Sequence, residues 1–247
     1  MMHRWRALLG SFLGAALLLT LLAAATLAVN GQPQPPMVRW GVVYINGEPA
    51  EDGTLVEAKI GGEVVASDCT RTVAGEKGRY ALSIEGETGD TVHLFVLGIE
   101  AEESPRSWTS GKRRLDLHIA RPHLVAGIDA PETAVVGTTF DVFATVSNTG
   151  EADAISVTLT LNVTGGASLL GDAERTIGDL DAGATSAPVT WTLRCNGAED
   201  AVIKVNPAGI EVNTGYAIPE DYLVSDEATV LQRFVIRLPL IFKNYTP

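Results

Sequence analysis

After residue 36, hydrophobic and polar residues alternate along most of the chain with a period of two, most clearly over residues 139–150. Phe140, Val142, Ala144 and Val146 fall on one face, with Asp141, Thr145 and Ser147 on the other. That alternation marks a half-buried antiparallel strand. Asn148-Thr149-Gly150 follows with residues that tolerate positive φ, which predicts a chain reversal. Beyond it Ile155, Val157, Leu159 and Leu161 alternate with Ser156, Thr158, Thr160 and Asn162, predicting a partner strand. Two such strands leave an apolar face that needs a second sheet over it, so the pattern predicts a β-sandwich.

The same reading predicts strands over 40–45, 55–60, 79–85, 91–97 and 115–119. Turn chemistry lies between them at Asn46-Gly47, Gly61-Gly62, 75–78 and 86–89. Within residues 79–85, Tyr80, Leu82 and Ile84 share one face. Arg121-Pro122 marks a boundary, because proline interrupts a strand ladder. A second series is predicted at 123–131, 139–147, 154–162, 187–195, 201–206 and 222–231, at the spacing of a sandwich. The expected fold is all-β: two consecutive antiparallel β-sandwich domains, Ig-like or prealbumin-like, over 37–120 and 121–232, after an N-terminal hydrophobic signal helix.

The ends follow other rules. His3, Arg4 and Arg6 precede an apolar run over 7–29, and Thr26-Leu27-Ala28 offers a small-x-small cleavage site. Residues 1–30 therefore read as a signal peptide. The run also exceeds the roughly 20 residues that span a bilayer, so an uncleaved N-terminal anchor is the other reading. No cysteine lies near its end, which excludes thioether lipid attachment. Residues 31–36 form a proline-rich, extended spacer. The last segment, 233–247, is apolar and basic, with no carboxylate after Glu227. Its apolar stretch is long enough for a strand but too short for a membrane helix. Leu238, Pro239, Leu240, Lys243 and Asn244 either form a sorting tail or belong to a last edge strand guarded by proline and basic residues.

A formal charge of −12, from 18 basic and 30 acidic residues, disfavours nucleic acid and anionic lipid as partners. That leaves other surface proteins or extracellular polymers, with a membrane contacted only through the N-terminal segment or the tail. Export permits disulfides. Cys195, however, is in register with the inward Val189, Trp191 and Leu193, while Cys69 lies in the other series, so two separate reduced thiols are expected. Asp116 and His118 share a face near the boundary, two ligands where a catalytic zinc takes three oriented ones. Acidic clusters over 48–52, 85–90 and 100–103 lack the spaced pattern of a calcium loop. No nucleophile elbow, phosphate-cradling glycine loop or HExxH helix appears. The expectation is a non-enzymatic chain with no catalytic residue, cofactor or metal. The remaining candidates are aromatic: Trp40, Phe95, Trp108 and Phe143. Of these, Trp108 and Phe143 are the candidate interaction residues, either stacking on sugar rings or joining the two domains.

Three resemblances add to this reading. Asn46-Gly47 with Pro49-Ala50, Gly53-Thr54 before a strand ending in Ala58, and Gly78-x-Tyr80 resemble the carboxypeptidase regulatory-like family. That family is a transthyretin-type sandwich, normally a non-catalytic add-on. Residues 135–150, Gly178-x-Leu180 with Gly183, and the VTWTL strand at 189–193 resemble the CARDB-like, cell-adhesion-related domains, which implies a spacer or interaction module. The tail resembles short LPL-x-x-K-N endings of secreted bacterial proteins, implying sorting or surface retention. Together these predict an exported or cell-surface structural, adhesion or interaction protein. A carbohydrate- or peptide-binding accessory module of an exported hydrolase system is the alternative, and an enzyme with an unrecognised site the second alternative.

Overall fold

In a computed structural model, residues 34–197 and 199–234 are described. The signal or anchor over 1–30 and the tail residues Leu238, Pro239, Leu240, Lys243 and Asn244 lie outside them. Among the described residues the chain is almost entirely strand, its one helical element being a 3-10 turn at Glu220–Tyr222. No helix among them is long and apolar enough to cross a membrane.

Four sheets pack as two sandwiches. In the first, Met37–Ile45 lies between Gly111–Arg114 and Glu76–Ile84, with Arg71–Val73 beyond. The facing sheet runs Glu63–Cys69, Leu55–Ile60, Thr91–Val96 and Ile99–Glu100, and Arg106–Ser107 pairs with Thr91–Val96. The second sandwich has Ala167–Leu170, Val189–Cys195, Thr139–Asn148, Leu124–Asp129 and Leu223–Val224 in one sheet. Thr133–Val135, Asp226–Arg233, Ala201–Glu211, Ala154–Gly165 and Glu174–Leu180 make the other. Most pairings are antiparallel. Met37–Ile45, however, runs parallel to both Gly111–Arg114 and Leu117–Ile119, and Leu124–Asp129 and Thr133–Val135 each take a parallel partner.

Alternation becomes burial as expected. Val142, Ala144 and Val146 are buried while Asp141 and Phe143 are exposed, and Val157, Leu159 and Leu161 are buried opposite them. The buried apolar residues fall into two clusters, one drawn from Met37 to Ile119 and one from Leu124 to Val230. Each cluster fills the space between its own pair of sheets, the arrangement that lets two half-buried faces cover each other.

Two features depart from expectation. The turn at Asn148-Thr149-Gly150 uses no positive φ. Asn148 is instead wholly buried, and its side chain does the work of a turn. Nδ2 donates to the carbonyls of Ala152 and Leu180 at 2.8 and 3.2 Å, and Oδ1 accepts from the backbone N–H groups of His123 and Gly150. Gly150 is required by space: a Cβ there would sit 2.1 Å from the Arg121 carbonyl oxygen. The second departure is at Ser156, where a bulge with φ of 54° opposite Gly178 breaks the expected uninterrupted alternation, leaving Ile155 only half-buried. Bulges of this kind add a residue on one strand and increase its local twist.

Candidate interaction site

The chain passes from the first core to the second through residues 120–123, and polar groups lock that passage. Arg121 is 5% exposed and Glu211, at the end of Ala201–Glu211, is 2% exposed. Arg121 Nε donates to Glu211 Oε1 at 2.6 Å, and the guanidinium lies 4.7 Å over the Tyr222 ring. Thr214 Oγ1 donates to the other carboxylate oxygen. Burial works against the Arg121 charge, but the Glu211 carboxylate outweighs it, so the guanidinium is held above its usual pKa. From the first sandwich, Asn46 Oδ1 accepts from the Arg121 backbone N–H at 2.8 Å and, more weakly, from that of Glu151. Asn46 itself sits at φ of 50°, a conformation asparagine tolerates, which lets its turn face the boundary. Asn213 Nδ2 donates to the Ala120 carbonyl from the other side.

Beside this passage lies an open cleft of about 690 Å³, lined by the 48–54 loop, Leu97, Arg121, Pro219, Asp221 and Tyr222. Its acidic loop is solvated: Glu51 is paired with Lys77 at 2.9 Å on a side chain 80% exposed.

The candidate aromatics part company. Trp108 is not a surface residue. It is 2% exposed, donates Nε1–H to the Ile84 carbonyl at 3.2 Å, and lies so close over Gly86 that a Cβ there would reach 2.7 Å from its ring. The sequence missed this because Trp108 lies outside any alternating run. Trp40 is half-buried between the guanidinium groups of Arg79 and Arg114, and Phe95 carries Lys59 over its ring at 4.5 Å.

Phe143 does stand out. It is 43% exposed on the outer face of the central strand of its sheet. Next to it Gly127 pairs with Thr145 and leaves that face without a side chain. The result is a trough of about 350 Å³, bounded by Gly127, Ile128, Asp129, Phe143, Pro188 and Asp226. One wall is fixed, since Asp226 Oδ2 accepts the Ile128 N–H at 2.9 Å. An aromatic face beside a shallow trough with carboxylates at its margin can take a flat apolar group with hydroxyl or amide donors.

The titratable candidates are engaged in local contacts. Asp116 meets Arg114 at two points, both 3.1 Å, and accepts the Val42 N–H. His118 stacks on Tyr44, and its Nδ1 lies 2.6 Å from Glu103 Oε1. Asp116 and His118, two ligands on one face by sequence, thus have separate partners, and His118 is not simply solvated. His93 lies 2.6 Å from Glu100, which also accepts from Ser104. Among the described residues no group of three or more His, Cys, Asp or Glu side chains is placed to hold a metal. Cys69 is exposed and Cys195 buried, both as free thiols, and the Cys195 Sγ lies 2.7 Å from Gln232 Oε1.

Residues 116–211 match the CARDB family, a stretch shorter than half of the chain. No curated protein matches. Several solved structures are similar. A fragment of Escherichia coli α2-macroglobulin, from domain MG7 to the C-terminus, is 16% identical over 45% of this chain with a TM-score of 0.36; the match spans 17% of the fragment's length. A CARDB domain from Pyrococcus furiosus is 16% identical, covering 46% of this chain and 98% of that one, with a TM-score of 0.33. The major pilin subunit BcpA of Bacillus cereus is 9% identical, covering 79% of this chain and 69% of that one, with a TM-score of 0.40.

Proposed function

We propose that this is an exported, non-enzymatic surface protein whose two β-sandwiches form a rigid spacer that presents an interaction face. The first sandwich acts as a carboxypeptidase regulatory-like add-on and the second as a CARDB-like module, with residues 37–120 and 121–232 as the two units. The tail sorts or retains the protein at the surface. The observation that carries this reading is the locked passage at Arg121. A buried ion pair, an asparagine bridging both units and a second bond to the Ala120 carbonyl together leave little freedom at a boundary where most chains have a flexible linker. The two side chains weighed as possible metal ligands are also occupied: Asp116 and His118 each have a neighbouring side-chain partner.

The test is backbone ¹⁵N relaxation on the full-length protein. A rigid spacer gives one overall rotational correlation time for amides of both sandwiches. Two distinct correlation times, each near that of an isolated unit, would end the spacer reading. Intact-mass measurement in membrane, wall and medium fractions tests export separately: a species beginning near residue 29 in wall or medium supports release, and a full-length species held in the membrane supports an anchor.

The trough beside Phe143 favours a second reading, a carbohydrate- or peptide-binding accessory module. With Trp108 in the core, Phe143→Ala is the informative substitution. Glycan and peptide arrays probed with the wild type and this variant decide it; no binding above background, or binding that survives the substitution, removes the accessory reading.

A further inference from the structure

The least expected charge in this acidic chain is Arg39. It lies on the same face of Met37–Ile45 as Met37, which is in the first core, and it is itself 6% exposed. A buried guanidinium is ordinarily matched by a carboxylate. Arg39 has none. Nη1 donates to the carbonyls of Val38 and Gly111 at 2.9 and 3.2 Å, and Nη2 donates to Thr109 Oγ1 at 3.1 Å. These bonds use three of its five N–H donors and leave its charge unopposed.

The neighbours make this worse. Arg113 is the residue directly opposite Arg39 across the parallel ladder, so two like charges share one face of adjacent strands. Such pairs destabilise a sheet. Arg106 approaches from Arg106–Ser107, the strand attached to the facing sheet. The three arginines line one groove of about 360 Å³ at the margin of the first sandwich, together with Ser107, Thr109 and Arg114. Arg114 is neutralised by Asp116, but Arg39, Arg106 and Arg113 form no ion pair among the described residues. Every Asp and Glu of the chain lies within those residues, so no acidic side chain elsewhere in the sequence is left to pair with them. Burial, Arg113 and Arg106 together push the Arg39 guanidinium below its usual pKa.

We propose that this groove binds an oxyanion, a sulfate or phosphate group supplied from outside the chain. The donor set fits. Guanidinium forks match such oxygens in two-point bonds. The Thr109 hydroxyl, which accepts from Arg39, keeps its own proton to donate, and Ser107 offers another. The volume is at the small end of ligand sites, enough for the anion and part of a carrier. A net charge of −12 keeps extended polyanions away, whereas a single compact anion meets only the local field. The inference stands apart from the spacer reading and from the Phe143 trough, which is in the other sandwich.

Calorimetric titration of the full-length protein tests it, at constant low ionic strength, with inorganic sulfate, glucose 6-sulfate and glucose as probes. Saturable binding of sulfate and glucose 6-sulfate, and none of glucose, is expected. Tighter binding of glucose 6-sulfate than of the bare ion identifies a saccharide-borne group as the natural source; equal binding identifies the free anion. Arg106→Gln with Arg113→Gln, both exposed positions, should weaken binding at least tenfold while leaving the melting temperature in chloride unchanged or higher, since like charges are removed. The matching double substitution to lysine should restore part of the affinity. Arg71→Gln, at the far edge of the same sheet, should leave it unaltered. Absence of saturation with both anions, or undiminished binding in the glutamine variant, overturns the proposal.

Discussion

Replacing Arg121 by methionine should be among the most damaging single changes at the passage between the sandwiches. The substitution keeps much of the aliphatic stem over Tyr222 but leaves the Glu211 carboxylate, on a side chain 2% exposed, with Thr214 as its remaining side-chain donor. Removing one partner of a buried ion pair costs about 3–5 kcal/mol, because the other charge is left uncompensated. For a sandwich of this size about 4 °C of melting temperature is lost per kcal/mol, so a fall of roughly 12–20 °C is expected. Replacing both Arg121 and Glu211 by methionine should recover more than half of that loss, since an apolar pair of similar volume is often close to neutral. Thermal unfolding followed by circular dichroism on both variants and on Glu211→Met completes a double-mutant cycle. A loss under about 1 kcal/mol for Arg121→Met is what an exposed pair gives. That result, or a double variant no better than the single ones, would refute the view that this pair is buried and coupled.

Trp108→Ala should cost about 3–5 kcal/mol by emptying the first core over Gly86, whereas Phe143→Ala should shift stability by about 0.5 kcal/mol or less; urea melts separate the two. Stability should decline as the pH falls below about 4, where Asp and Glu ordinarily titrate. For Asp116, burial raises the pKa but is outweighed by the Arg114 pair and the Val42 N–H; for Glu100, Ser104 and then His93 hold it low. Carboxyls with depressed folded pKa values lend stability above the unfolded value and lose it through the folded one, so Asp116→Asn should flatten the acid limb of a urea-melt pH series. A thiol reagent should label Cys69 in the native protein and reach Cys195, whose thiol burial pushes up in pKa, only on unfolding; rapid labelling of both would contradict the buried placement.

Strands that bury one face were legible because alternation and burial are the same fact read twice, as at Val142, Ala144 and Val146. Glu63–Cys69 and Glu174–Leu180 were not, and the reason is physical. They are outer strands held by backbone hydrogen bonds to one neighbour; Glu63–Cys69 is mostly exposed and Glu174–Leu180 fully buries only Leu180, so no apolar stripe marks them. The aromatic candidates divide the same way: Phe143 lay on the polar side of a readable strand and is exposed, while Trp108 followed a two-residue strand with no period to read. Arg39 and Arg121 were least legible of all. Nothing in a sequence says that an arginine within an apolar pattern keeps its charge in the interior, because its partners come from residues 70 to 90 positions away.

The parallel ladder at the edge of the first sandwich sets how the fold would respond to a pull on its ends. Met37 enters one end of Met37–Ile45, and Ile119 leaves at the other end, beside Ile45. Tension between the two ends of this unit therefore slides the paired strands along each other, so their hydrogen bonds resist together and not one after another as in a peeled hairpin. The second sandwich repeats the device where Leu124–Asp129 pairs with Leu223–Val224 and Thr133–Val135 with Asp226–Arg233. A chain pulled from both ends would meet that resistance twice in series, with the Arg121 passage as the joint between.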